Sequence, residues 1–482
     1  MKYNNIKVSY FLLKNLLIVC AGSLLFGYHM GELNTASKYI TCQYLNENPN
    51  VGDGKCIPMN SNQFALVTSV FSIGGLVGSF LCANIADKHG RKFVCLINSI
   101  NFVIGSITIQ YSKNLIFFII GRIILGISSG SSIVLTSLVI SEIAPIELKD
   151  SLGTLNQAFI NIGLLLVQCL SMKWAKPLVW KKLFYFSSFV SLFQTLIVFF
   201  FLDETPRWLR DNGYKEKAKV VSKKLGFKTL ETSNFSQETI VEANNSLNHN
   251  SSIEPISYLP DQKRGLVGWK EYLTNKKYRT SVIFVTIILV GQQLSGINSI
   301  MLYSTQVITE LSGKNGDSLA KKVNLLISVI NVIFTCISPK AIDFFGTNQC
   351  LSISAFFMSF FSLMIAFSLQ FKYLDLLIGF LVCFIIAFAL GVGPIPFLII
   401  SGLTPFEARS TSQSFGTVNN WLGTFLVSYF FPVFSSVLGT PAVFAIFAFC
   451  SLGFSAIIHF KLPNNNLLAD DIEQQRLLTL SG

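Results

Sequence analysis

The chain has 482 residues, of which 51% are hydrophobic and only 13% charged. That balance excludes a soluble globular protein of this length, in which roughly a quarter of residues carry charge. The formal charge of +12 does not point to nucleic acid, because 14 of the 37 lysines and arginines cluster between Arg207 and Arg279, beside apolar runs, a placement set by membrane topology.

Crossing a hydrocarbon core takes roughly 20 mostly apolar residues, and twelve such runs occur. The first six lie near residues 11–31, 63–85, 93–112, 115–140, 153–172 and 179–202. The first run lacks a small-residue cleavage pattern, so it is expected to stay as a helix. It holds His29 and Glu32, three residues apart and therefore on one helix face. Cys42 and Cys56 fall in the next loop, on the non-cytosolic side, where a disulfide and two free thiols fit equally well. Asp87 and Arg91 flank the turn after run two, Arg122 lies inside run four, Glu142 ends it, and Gln157 sits within run five. Glu204 and Arg207 follow run six.

Residues 203–279 are polar and read as a cytosolic loop, with disorder expected in the Asn-, Ser- and Glu-rich stretch 231–260. Its sequons at Asn234, Asn244 and Asn250 read as chance matches in Asn-rich sequence. The domains are thus a six-helix half at 1–202, that loop, a second six-helix half at 280–460 and a cytosolic tail at 461–482. The later runs lie near residues 280–303, 323–342, 350–370, 374–401, 411–434 and 440–460. Run seven carries Gln292, Gln293 and Asn298, run eight Asn331, run ten Phe397 after Pro394 and Pro396, and run eleven Asn420 and Trp421, with Arg409 just ahead of it. The tail contains Glu473, Leu477 and Leu478 in the arrangement of an acidic dileucine signal, which a sorting adaptor would read from the cytosol.

The halves echo each other. Asp87 to Gly90 answers Asp343 to Gly346 at an offset of 256, Ala144 to Glu147 answers Thr404 to Glu407 at 260, and Pro206 answers Pro463 at 257. Near-equal offsets describe a six-helix unit duplicated in parallel, an arrangement that places a solute site at the midplane between two rocking halves.

Several segments together carry a resemblance. They are Phe26-Gly27-Tyr28, Asp87 to Lys92, Gly121-Arg122, Ser141 to Pro145, Glu204 to Leu209, Gln292 to Asn298, Gly393 to Phe397 and Asn420-Trp421. In that order they resemble the sugar porter family of the major facilitator superfamily along nearly the whole chain. The resemblance implies an all-α membrane protein of twelve transmembrane helices that moves a small polyhydroxylated solute by alternating access. It implies that Gln157, Gln292, Gln293, Asn298, Asn331, Asn420, Trp421 and Phe397 contact solute, and that Asp87, Arg91, Glu142, Glu204, Arg207 and Arg409 form a cytosolic latch. Amides suit solute hydroxyls because each both donates and accepts, and an aromatic face packs on C–H surface. The bland alternative for these amides is bonding between helices.

Departures matter as well. His29 stands where proton symporters of this kind carry an Asp, which favours facilitated diffusion, although Glu32 is placed to replace the acid beside Arg122. Leu302, Phe397 and Thr424 stand where Tyr, Trp and Asn are usual, which removes hydrogen-bonding groups. Within the expected class of hexose, polyol or related metabolite, a typical hexose is therefore expected to bind weakly, and a polyol, inositol or another small metabolite is the alternative. Gly346-Thr347-Asn348 and Gly402 lack the usual second-half latch charges. His29 and those lost arginines are similar to a fungal branch of sugar porters associated with the vacuole, which together with the tail motif favours a vacuolar or lysosome-like membrane over the plasma membrane. The partners expected are the solute, membrane lipid and the sorting adaptor, with no nucleic acid, cofactor or metal. An enzyme is not expected, since no nucleophile–base grouping is visible. A non-transporting sugar receptor of the same fold is the alternative.

Overall fold

The computed structural model describes residues 9–46, 56–145, 148–226, 267–312 and 316–462. The stretch 231–260 with its sequons, Ile146 and Glu147, Pro463 and the tail residues Glu473, Leu477 and Leu478 lie outside the described residues. The described chain is helical and contains no strand.

Among the described residues, twelve segments are long and apolar enough to cross a membrane. Spans one to six are the helices Tyr10–Ile40, Ser61–His89, Arg91–Gln110, Leu115–Ile143, Leu155–Trp174 and Lys182–Phe201. Polar caps start several of them: Ser9 accepts from the Phe11 N–H, Asn60 and Gln63 form a capping box, and Asn114 accepts from the Phe117 N–H. Helix Trp269–Thr274 leads into the second half. Spans eight, nine, eleven and twelve are Gly316–Phe345, Thr347–Gln370, Arg409–Leu438 and Thr440–Lys461.

Spans seven and ten are broken. Span ten runs Leu374–Leu390, then Ile395–Leu403, interrupted where Pro394 removes a backbone donor. Span seven, expected from sequence as one continuous run, is instead Arg279–Leu294 followed by Ile297–Ser312. Gly296 at the junction has φ +87°, and a Cβ there would meet the Phe447 ring at 2.5 Å, so only glycine fits.

The two halves repeat one pattern of neighbours. Span two packs on four, one on five and three on six, as span eight packs on ten, seven on eleven and nine on twelve. The halves meet where span two packs on span eleven and span five on span eight. Small residues bring helices together: a Cβ at Gly126 would lie 2.1 Å from the Phe71 carbonyl oxygen, which is the close approach that Gly74, Gly78, Gly126 and Gly130 permit. Between spans nine and twelve, Ser362, Ser359 and Ser451 donate to the Phe444, Ala448 and Ala355 carbonyls at 2.7–2.9 Å. Large apolar side chains such as Phe189, Phe200 and Phe449 are exposed on the outside, the inversion expected of a surface that faces lipid. Because the spans are even in number, the helix starting at Tyr10 and the one ending at Lys461 share one face of the bundle, called here the terminal face. On the opposite face Cys42 and Cys56 form a disulfide, which decides between the two sequence alternatives.

Candidate functional site

Between the halves lies a cavity. Seven of the eight expected contact residues line it: Gln157, Gln292, Gln293, Asn298, Phe397, Asn420 and Trp421. Leu302 and Thr424, two of the departures, line it too. Asn331 is set behind Asn161, whose side chain lines the wall and exchanges hydrogen bonds with it at 3.0 and 3.2 Å. No Asp, Glu, Lys or Arg is among the lining residues.

The broken spans shape the polar wall. The break in span ten frees carbonyls that a continuous helix would satisfy, and the Gln292 amide donates to those of Val392 at 2.7 Å and Gly393 at 3.3 Å. Gln292 in turn accepts from Asn420 at 2.9 Å. Just past the break in span seven, Asn298 donates to Gln293 and, at 3.1 Å, to Thr424. The Gln157 amide donates to Asn161 at 3.1 Å. These bonds engage one N–H each of Gln157 and Asn420 and one lone pair of the Gln293 carbonyl, which leaves the side-chain carbonyls of Gln157, Asn298 and Asn420 as acceptors and the Gln293 NH₂ group as a donor for a ligand. Trp421 also lines the cavity, and its Nε1–H is buried without a partner. Its ring lies on Gly75 of the other half, where a Cβ would sit 2.4 Å away, and meets Phe26 and Phe71 edge-on at 5.4 and 5.7 Å.

Behind Phe71 sits a buried trio of ionisable side chains. Arg122 donates to Glu32 at 3.1 Å and to the His29 carbonyl at 3.0 Å, while the His29 ring meets the other Glu32 oxygen at 3.0 Å. All three side chains are buried, and the Arg122 guanidinium lies 4.2 Å from the Phe71 ring centre. Glu32 thus places a carboxylate beside Arg122.

At the terminal face, Arg91 grips Glu142 through two donors at 2.6 and 3.1 Å and Asp87 at 3.0 Å, and Arg207 stands 3.6 Å from Glu142. Glu204 accepts the backbone N–H groups of Arg91 and Lys92 at 2.9 and 3.0 Å, at the positive start of span three. Burial holds the Glu204 carboxyl above its ordinary value, against the pull of those N–H groups. Arg409, the remaining expected latch member, donates to the Thr404 carbonyl at 3.4 Å. Several partners escaped the sequence reading. Ser410 donates to Asp87 at 2.6 Å across the halves, Lys277 pairs with Glu407, and Tyr272, Ser281, Thr404 and Ser412 close a ring of buried hydroxyls at 2.7–2.8 Å. Serine and threonine are too common in spans to signal such a ring. Asn161 was legible, one turn after Gln157.

Residues 15–469 match the profile of the family described as sugar (and other) transporter. The chain belongs to the sugar transporter family. Its relatives within that family include a probable metabolite transport protein of Saccharomyces cerevisiae, 34% identical over 93% of this chain and 91% of that protein. A vacuolar protein sorting-associated protein of the same yeast is 32% identical over 96% and 95%. The glucose transporter GlcP of Staphylococcus epidermidis is 29% identical over 94% and 95%. Among solved structures, the xylose transporter XylE from E. coli in a partially occluded inward-open form superposes with a TM-score of 0.71, at 21% identity, over 94% of this chain and 98% of that one. A proton:xylose symporter bound to 6-bromo-6-deoxy-D-glucose gives a TM-score of 0.74, at 19% identity, over 94% and 96%. At such identities the likeness shows the fold, which is the major facilitator fold of this sugar transporter family member.

Proposed function

We propose that the chain moves a small, neutral, polyhydroxylated solute, a hexose, polyol or related metabolite, across a membrane by alternating access. The observation that carries this reading is the chemistry of the cavity wall: no charged residue lines it, and it offers unengaged amide donors and acceptors together with an aromatic face. Hydroxyl groups complement such a wall, and a charged solute would be left uncompensated there. Polar side chains in spans are costly unless they find partners, and here the residues Gln157, Gln292, Gln293, Asn298 and Asn420 line one space. The alternative, a sugar receptor that does not transport, keeps the cavity but not the turnover. Uptake into proteoliposomes decides between them, since a receptor binds solute and accumulates none.

Facilitated diffusion is the mode we favour, because Glu32 is held on both oxygens inside one half, by Arg122 and His29. A second reading, solute–proton symport, is supported by His29 Nε2, which is buried without a partner beside that carboxylate and gives the trio a place for a proton. Solute-induced alkalinisation of a weakly buffered medium, abolished in Glu32→Gln, would establish symport. We place the terminal face in the cytosol, where the ionic cluster of Asp87, Arg91, Glu142, Glu204 and Arg207 acts as a latch, and we place the protein in a vacuolar or lysosome-like membrane. The yeast relative named for vacuolar protein sorting supports that address, as does the tail motif, with an adaptor as its reader. A tagged protein that lines the cell surface, or a Leu477→Ala, Leu478→Ala variant that still reaches the vacuole, would refute the sorting reading.

A further inference from the structure

Asn161 is an addition to the solute wall that no expected contact residue anticipates. It lies four residues after Gln157 on span five, hence on the same helix face, and it is 1% exposed. Its NH₂ group donates to Asn331 at 3.0 Å and to Thr335 at 2.8 Å, both on span eight of the other half. Its carbonyl accepts from Asn331 at 3.2 Å and from Gln157 at 3.1 Å. Both protons and both lone pairs of the amide are used, so the side chain has nothing left for a solute. Span five begins at the terminal face with Leu155 and span eight ends there with Phe345. Asn161, six residues in, and Thr335, ten residues from that end, therefore lie on the terminal side of the midplane.

We propose that Asn161 is a positioning and gating residue: it turns the Gln157 carbonyl into the cavity by taking up the Gln157 NH₂ group, and it clasps spans five and eight so that the cavity stays shut towards the terminal face. The first role rests on the reading of the cavity as a solute site; the clasp does not. A solute hydroxyl that draws Gln157 towards itself pulls on the same amide that holds the two halves, which ties occupancy to opening. Opening towards the terminal face then requires the Asn161–Asn331 exchange to break, while opening towards the opposite face leaves it intact.

The test follows the clasp without any solute. Ser338 is buried on span eight, seven residues after Asn331 and on its face, two turns nearer the terminal face. Ser304 is buried towards the opposite face and bonded to Asn324. Single cysteines are placed at one position or the other, and the rate of alkylation by a small polar maleimide is read at that residue by mass spectrometry. In Asn161→Leu the Ser338→Cys reporter is expected to react at least about tenfold faster, since more than one buried hydrogen bond is lost, while Ser304→Cys is unchanged or slower. Thr335→Val, which removes one of the four bonds, is expected to give a smaller rise at the same site. An unchanged rate at Ser338→Cys overturns the proposal. So does a matching rise at both reporters, which would mean general loosening. Because no solute enters the assay, failure of the sugar reading and failure of the clasp are separate outcomes. The positioning role is read by equilibrium binding of a panel of labelled hexoses, pentoses, inositol and glycerol to wild type and Asn161→Gln. The panel as a whole tests the solute reading; a hexose or polyol bound several-fold more weakly by Asn161→Gln supports positioning, and equal binding overturns it.

Discussion

Ser410, at the start of span eleven, donates a hydrogen bond of 2.6 Å to Asp87, at the end of span two. This bond fastens the second half to the ionic cluster of the first, because Asp87 also pairs with Arg91, which holds Glu142. A hydrogen bond to a carboxylate is worth about 1.5–3 kcal/mol when buried. Ser410→Ala is therefore expected to shift the gate by roughly tenfold or more towards an open terminal face. Distances between spin labels on the terminal ends of spans two and eleven would lengthen; an unchanged distribution would show that this bond does not hold the halves.

Glu142 and Asp203 give a graded pair of substitutions. Glu142 is buried beside two arginines, whereas the Lys14–Asp203 pair, at 2.7 Å, is partly exposed. Removing one partner of a buried ion pair costs about 3–5 kcal/mol, and an exposed pair contributes about 0–1 kcal/mol. Thermal unfolding in detergent should show a large fall in Tm for Glu142→Gln and almost none for Asp203→Asn. Equal shifts would mean that the cluster is no more than solvated charge at helix ends.

Within the cavity, substitutions should separate binding groups from framework. Trp421→Phe keeps the aromatic face and removes only the unpartnered donor, so apparent affinity should weaken about five- to tenfold with little change in maximal rate. Gln292→Ala breaks three bonds that join spans seven, ten and eleven, and Asn298→Ala breaks two; both should abolish transport in protein that still reaches the membrane. Normal uptake in either variant would remove the broken-helix wall from the site.

Glu407 provides a pH test at the terminal face. Burial alone would raise its carboxyl, but the hydrogen bond and charge of Lys277 outweigh that and hold it below its ordinary value. A depressed carboxyl contributes stability that is fully present above the unfolded value, about 4.3, and is lost as the pH falls through the lower folded value. Glu407→Gln should thus lower Tm slightly at neutral pH, and the difference should vanish in acid. A difference that grows as pH falls would reverse the sign of this argument.

Much of this was legible in the sequence because membranes impose simple rules. Twelve apolar runs had to be twelve helices, and amides such as Gln292 and Asn420 could persist in them only by facing the interior. Span seven broke where one run was expected, because a left-handed glycine at position 296 cannot be told by composition from the many glycines that merely pack. Asn331 was expected on the wall and stands behind Asn161, since a period of 3.6 fixes the face of a side chain but not which of two facing amides reaches further. The link from Asp87 to Ser410 joins residues 323 apart in the chain, and nothing local in the sequence marks either as the partner of the other.

The central claim is that the uncharged cavity between the halves carries a hydroxylated solute across the membrane. Its most direct test is uptake by purified protein in proteoliposomes of a panel of labelled hexoses, pentoses, inositol and glycerol, with and without a pH gradient, beside Trp421→Phe. The account predicts saturable uptake of at least one neutral member, independent of the pH gradient, with weakened affinity in Trp421→Phe. Binding without uptake of any member, or uptake confined to charged solutes added as controls, would contradict it.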